Sequence, residues 1–147
     1  MYKLGSKSIK KLSGVHPDLV KVVKEAITTS EVDFGVVFGV RTAAEQHELY
    51  LKGRTKPGSI VTYKDGYKNK SNHQPKEDGY GYSVDLAVWT GVTYDWNDIP
   101  KYRLVAKAML DAAKKLGIKI RWGADWDMDG STSDERFLDW GHFELWN

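Results

Sequence analysis

Apolar positions along the chain change their spacing several times, and each change predicts an element. After "HPD", Leu19, Val22, Val23, Ala26 and Ile27 recur three and four residues apart, which places them on one face of a helix. "DFGVVFGV" follows as a short buried strand. Thr42 and Glu45 form a capping box that starts a second helix, and Gly53 closes it as a C′ glycine. Residues 54–82 are polar and rich in Gly, Lys and Tyr, and read as one long loop. Loops of this length in compact domains usually serve function or move. "SVDLAVW" is a second apolar strand. A third helix runs from about Ile99 to Leu116, with Asp98 as N-cap and Gly117 as stop. Its expected core face is Tyr102, Val105, Ala106, Met109, Leu110 and Ala113. "IKIRW", an acidic loop and "WGHFELW" close the chain. The pattern is mixed α and β, without linker, repeat or low-complexity tract.

Composition narrows what such a chain can be. It has 147 residues, the size of one ordinary domain, with 41% apolar and 29% charged residues. A net charge of +2 is too mild for a dedicated nucleic-acid binder. No run approaches the roughly 18 apolar residues of a membrane span, so stable membrane insertion is not expected. "MYKLGSKSIKKLSG" carries basic residues with no apolar core behind them, so it does not read as a secretory signal. The expectation is a protein made in the cytoplasm. The chain has no cysteine, which excludes disulfides, thiolate zinc sites and cysteine nucleophiles.

Candidate chemistry begins at Asp85, a carboxylate inside an apolar strand, where an unpaired charge is costly. His73 precedes it, and His142 lies between aromatics on the last strand, on the face of Trp140, Glu144 and Trp146. Two histidines and an aspartate match a catalytic zinc set, which uses three protein ligands and leaves a fourth position to water. The alternative is that Asp85 pairs with an Arg and both His are satisfied core residues. Asp139, three residues before His142, could serve as general base, or be an exposed turn residue. Should Asp139 not be the base, Glu144 is the next carboxylate to consider. Arg41, at the end of "FGVVFGVR", could steady an oxyanion or a substrate carboxylate, or form a surface ion pair. His16 reads as structural at a helix start, and His47 as a surface or packing residue of the second helix.

"SNH…GYSVD" followed by "DWGH" resembles the motifs of LAS-type zinc peptidases, the group of lysostaphin-like, D-Ala-D-Ala-cleaving and hedgehog-like domains. "VHPDLVKVV", "GVRTAAEQHELY" and "IRWGADWD" resemble, in order, further segments of one branch, the bacteriophage L-alanyl–D-glutamate endopeptidases. The likeness runs from about Val15 to the C-terminus. It implies an α+β single domain, with a small antiparallel sheet flanked by about three helices and a zinc site on the sheet. It implies His73, Asp85 and His142 as zinc ligands, Asp139 as general base, and Arg41 as oxyanion or substrate contact. Gln46 becomes a substrate-binding candidate, and Ser71 a supporting group of the site. The implied activity is zinc-dependent hydrolysis of the L-alanyl–D-glutamate bond of bacterial peptidoglycan, as in an endolysin that acts on the wall after release from the host. A monomer without a separate wall-binding module is expected. The sequence departs from the motif at Ser83, where the family has alanine, and in the spacing between His73 and Gly81. Seven residues, "QPKEDGY", stand there in place of two, a change that reshapes the cleft rim at little entropic cost.

Two other readings share these residues. A D-Ala-D-Ala carboxypeptidase or dipeptidase would use the same zinc set. A non-catalytic, zinc-stabilised binding domain would not need Asp139 or Arg41. A glycosidase would need a paired acid and base, which the spare carboxylates do not form by sequence. Lys52, Arg54, Lys56, Lys64, Lys68, Lys70 and Lys76 cluster in or near the long loop and could meet anionic wall components, or simply solvate it. Trp89, Trp96 and Trp126 are candidates to line a cleft. Finally, "DWDMDGSTSDER" places Asp125, Asp127, Asp129 and Gly130 as in the first six positions of an EF-hand loop. Ser131 and Ser133 fit positions seven and nine. Arg136 stands where the bidentate Glu belongs, with Asp134 or Glu135 as substitutes by a shift. Calcium is the expected ion, and an ordinary acidic turn the alternative.

Overall fold

A computed structural model describes residues 1–133 and 138–146. Among these residues, four helices flank one antiparallel sheet. They are α1 (Ser6–Lys11), α2 (Pro17–Thr29), α3 (Ala43–Leu51) and α4 (Ile99–Leu116). The strands are β1 (Phe34–Phe38), β2 (Ser83–Trp89), β3 (Tyr94–Asp95), β4 (Ile120–Trp122) and β5 (His142–Leu145). The sheet order is β1-β2-β5-β4, with the short β3 also paired to β2.

Local chemistry explains where the helices begin and end. At α2, Pro17 sits at the first helical position and the His16 ring accepts from the Asp18 N–H, so His16 is a cap. Thr42 and Glu45 form the reciprocal capping box of α3. Asp98 caps α4, and Gly117 ends it at φ 71, a left-handed conformation that costs glycine little. The helix α1 was not expected. It is too short to declare itself by periodicity, and it is held by tertiary contact: the Ser8 hydroxyl accepts from the Val36 N–H in β1.

The helices α2 and α4 cover one face of the sheet. Leu19, Val22, Val23, Ala26 and Ile27 of α2 pack with Val105, Ala106 and Met109 of α4 and with Val84, Leu86, Val88 and Phe143 of the strands. Burying each of the larger of these side chains contributes about 1.5–3 kcal/mol. One core position differs from expectation. Leu110 is 40% exposed and Ala112 is buried in its place, because the buried stripe of α4 is rotated toward Ala108 and Ala112.

The other face of β2 carries the chemistry. Val84, Leu86 and Val88 point into the core, so Ser83 and Asp85 point the opposite way. Register then sets Asp85 opposite His142 and Ser83 opposite Glu144 across the β2–β5 pair. Close backbone approach locks this arrangement. A Cβ at Gly141 would sit 2.1 Å from the Leu86 carbonyl oxygen, and one at Gly123 would sit 2.5 Å from the Asp139 carbonyl oxygen. Glycine at these two positions lets the "DWGH" segment fold against β2 and the "WGAD" turn fold against "DWGH".

Candidate active site

Asp85, His73 and His142 converge although they come from a strand, a loop and a second strand. Each offers one ligand atom, and the three atoms lie within 4.8 Å of one another. His142 Nδ1 is 2.9 Å from Asp85 Oδ1, and His73 Nε2 is 3.3 Å from Asp85 Oδ2. His73 is 3% exposed and His142 8%.

The hydrogen bonds behind His73 settle its tautomer. Its Nδ1 lies 2.9 Å from the Gly39 carbonyl oxygen, which can only accept, so Nδ1 carries the proton. The Nε2 lone pair then faces a carboxylate oxygen. Two acceptors facing each other need a proton or a cation between them. His142 repeats the problem, with a carboxylate at each nitrogen. Two imidazoles and one carboxylate with converging lone pairs therefore fit a divalent metal with nitrogen and oxygen ligands.

Without a metal, protons and Arg41 compensate the charge. Burial alone would lower the His142 pKa, but hydrogen bonds to Asp85 and Glu144 outweigh it and push it up to about 10. Burial would raise Asp85, but the charge of His73 and hydrogen bonds from both imidazoles hold it well below the usual carboxylate range. Arg41 Nη2 is 3.7 Å from Asp85 Oδ2. Both answers for Asp85 thus meet at one carboxylate: it has an Arg neighbour, and it also lies in a metal-compatible cluster.

Asp139 and Arg41 complete the site. Both line a cleft of about 740 Å³ together with His73, Asp85 and His142. Burial, and next the charge of Asp85, raise the Asp139 pKa above the ordinary aspartate value. Asp139 is therefore half-buried and in the cleft, not an exposed turn residue. Arg41 is held in place: its Nη1 donates to Gln46 Oε1 at 2.7 Å and its backbone N–H donates to the His73 carbonyl at 2.8 Å. Burial lowers the Arg41 pKa against the raising effect of Asp85, yet a guanidinium stays charged in proteins.

Gln46 is 0% exposed, and it is placed beneath the site. Its oxygen takes Arg41 and its nitrogen donates to the Lys64 carbonyl at 2.8 Å, so it ties the long loop to the site. The Ser71 hydroxyl accepts from the His73 N–H at 3.1 Å. Lys52, Lys64 and Lys70 line the cleft. Trp126 lines it too, with its ring 5.5 Å from that of His142, while Trp89 and Trp96 pack near Tyr94 at the β3 hairpin. His47 anchors the loop through the Asp65 carbonyl at 2.9 Å.

Sequence reasoning missed Arg121. Its Nη2 donates to Glu144 Oε2 at 2.8 Å, and Asn72 Nδ2 donates to the same oxygen at 3.0 Å. The other oxygen, Oε1, lies 2.7 Å from His142 Nε2. Both Glu144 oxygens are engaged, which leaves it poorly placed to be the base. The stretch "IKIRW" alternates apolar and charged residues, so Arg121 reads there as an ordinary outward strand position, without a signal of its own.

The acidic loop forms a second cluster. Asp125, Asp127 and Asp129 also bring one oxygen each within 4.8 Å. Asp125 accepts from the Asp129 and Gly130 N–H groups, and Asp129 accepts from the Ser131 N–H. Asp134, Glu135 and Arg136 lie outside the described residues, so the twelfth position of the loop has no structural account. Among the described residues, no helix is long and apolar enough to cross a membrane.

A family model described as phage L-alanyl-D-glutamate peptidase matches residues 1–146. The L-alanyl-D-glutamate peptidase of Escherichia phage T5 is 37% identical over 147 residues, covering 98% of this chain and 98% of that protein. The peptidoglycan L-alanyl-D-glutamate endopeptidase CwlK of Bacillus subtilis (strain 168) is 33% identical over 145 residues, covering 90% of this chain and 74% of that protein. The crystal structure of the Serratia marcescens L-Ala D-Glu endopeptidase ChiX is similar with a TM-score of 0.70 at 28% identity, covering 96% of this chain and 87% of that one.

Proposed function

The chain belongs to the phage L-alanyl-D-glutamate peptidase family, and from this premise we propose that it hydrolyses the L-alanyl–D-glutamate bond of bacterial peptidoglycan with zinc held by His73, Asp85 and His142. It is a peptidase that acts on the wall, in the manner of an endolysin. The observation that carries the catalytic assignment is the convergence of those three donors with Asp139 and Arg41 in one cleft. We further take it to act as a monomeric single domain that reaches the wall after release from the cytoplasm.

When bound, zinc supplies Lewis acidity: it polarises a carbonyl and lowers the pKa of water toward about 7. The protein's own groups do the rest. An Asp139 carboxylate oxygen takes a proton from the attacking water and returns it to the amide nitrogen as the carbon–nitrogen bond breaks. Burial raises its pKa above the ordinary aspartate value, the direction that favours a carboxylate that must both take and return a proton. Arg41, docked on Gln46, offers its guanidinium to the developing oxyanion or to a substrate carboxylate. The test is digestion of purified peptidoglycan with mass analysis of the fragments. A new D-glutamate amino terminus is expected; loss of terminal alanine alone would mark a carboxypeptidase and defeat the assignment.

Calcium is the ion proposed for the acidic loop, because its donors are all hard oxygens in Asp-x-Asp-x-Asp-Gly spacing. The loop leads toward Asp139 and His142, so an ordered loop would support the catalytic geometry. Calorimetric titration checks this, beside an activity assay at saturating zinc. Absence of any heat at millimolar calcium would reduce the loop to an acidic turn.

A further inference from the structure

The His142 ring lies between two carboxylates, but they are not equivalent. Asp85 shares the ligand cluster with His73, whereas Glu144 lies behind the ring and outside that cluster. Glu144 is 3% exposed, and a carboxylate so buried is costly unless it is paired and hydrogen-bonded. It is fully provided for: Arg121 and Asn72 both donate to Oε2. The Arg121 guanidinium itself lies over the ring of Trp146, at 4.0 Å, and that of Trp126, at 5.0 Å. Several side chains are thus committed to holding one oxygen, Oε1, against His142 Nε2 at 2.7 Å.

On the zinc reading above, we propose that Glu144 is a positioning residue of the metal centre. Its Oε1 accepts the Nε2–H of His142, so that Nδ1 is the nitrogen presented to the metal, and Arg121 with Asn72 hold the carboxylate there. A neutral imidazole carries one N–H, and the acceptor it meets decides which nitrogen bears it. A carboxylate at Nε2 leaves the Nδ1 lone pair free and makes it more basic. His73 is arranged the other way round. The Gly39 carbonyl takes its Nδ1–H, and Nε2 faces the cluster. The two imidazoles therefore present different nitrogens, each chosen by an acceptor behind the ring. Asn72, the neighbour of His73 in the chain, couples the two supports by reaching across to Glu144.

The variants that separate this from general packing are Glu144→Gln, which keeps an acceptor but removes the charge, and Glu144→Leu, which removes both. Zinc affinity is read by competition with a chromophoric chelator, and imidazole tautomers by nitrogen-15 NMR of the zinc-loaded full chain. Wild-type protein should show zinc on His142 Nδ1 with Nε2 protonated. Glu144→Leu should bind zinc about 10- to 100-fold more weakly, while Glu144→Gln keeps the tautomer and loses less. Circular dichroism of the zinc-free proteins checks the fold. Zinc on His142 Nε2 in the wild type would overturn the proposal without any variant, so it stays decidable if Glu144→Leu fails to fold. Unchanged affinity in a folded Glu144→Leu would also overturn it. A wild-type protein that takes up no zinc would instead overturn the zinc reading, and this inference with it.

Discussion

Among the described residues, two clusters of three metal-compatible side chains are built by opposite strategies. His73, Asp85 and His142 mix nitrogen and oxygen donors from distant parts of the chain. Each is backed by a partner outside the cluster: Gly39 behind His73, Arg41 beside Asp85, Glu144 behind His142. Asp125, Asp127 and Asp129 are all oxygen, come from one short loop, and accept hydrogen bonds from their own loop's backbone. The first cluster is held by the sheet and the packing behind it. The second depends on local turns at the surface. The difference teaches that ligands drawn from distant segments are fixed by partners outside the cluster, whereas a contiguous motif reaches the same ligand spacing through the turns of its own loop.

Removing a buried ligand should have the largest effect. His73→Ala or His142→Ala should abolish both zinc content and wall lysis, measured by elemental analysis of the purified protein and by turbidity loss of peptidoglycan. Full lysis by either variant, or by chelated wild type, would end the metal assignment. Asp139→Ala should be next. It should keep one zinc and the wild-type fold yet lose at least about a hundredfold in rate; normal turnover would require a different base.

Gln46→Leu probes the packing behind Arg41. It leaves the Lys64 carbonyl and the Arg41 guanidinium short of a buried partner, and should cost about 1–3 kcal/mol in denaturant unfolding. A change below about 0.5 kcal/mol would mean the side chain is not the tie between loop and site. The double change Asp127→Ala with Asp129→Ala should be milder still for the fold. It should remove calcium binding in the calorimeter while shifting calcium-free stability by only about 0.5 kcal/mol, as expected for exposed positions. Large destabilisation there would show that the acidic loop carries structural weight of its own. Ser83→Ala should have the smallest effect, neutral or slightly stabilising. The Ser83 hydroxyl is buried and has no hydrogen-bond partner among the described residues. A marked loss of stability would reveal a partner.

Elements with local causes were legible in the sequence. The stripe on α2, the Thr42–Glu45 capping box and the Asp98-to-Gly117 span of α4 each depend on residues within a few positions of one another. The helix α1 and the rotation that exposes Leu110 were not, because both are set by what packs against them. The site divides along the same line. The ligand types of the two clusters could be read from "SNH", "SVDLAVW", "DWGH" and "DWDMDG", since an apolar strand holding a carboxylate demands compensation wherever it lies.

What the chain by itself determined, then, is the inventory: the helices and strands with local signals, and the residues with the chemistry to bind a metal or move a proton. Only the tertiary structure decided the pairings. Register put Asp85 opposite His142, close glycine contacts folded Asp139 into the cleft, and buried Gln46 and Glu144 became supports for Arg41 and His142. The reason is physical. Helix caps and hydrophobic periodicity act over a few residues, whereas the partner of a buried polar group is whatever the packed core brings within about 3 Å of it.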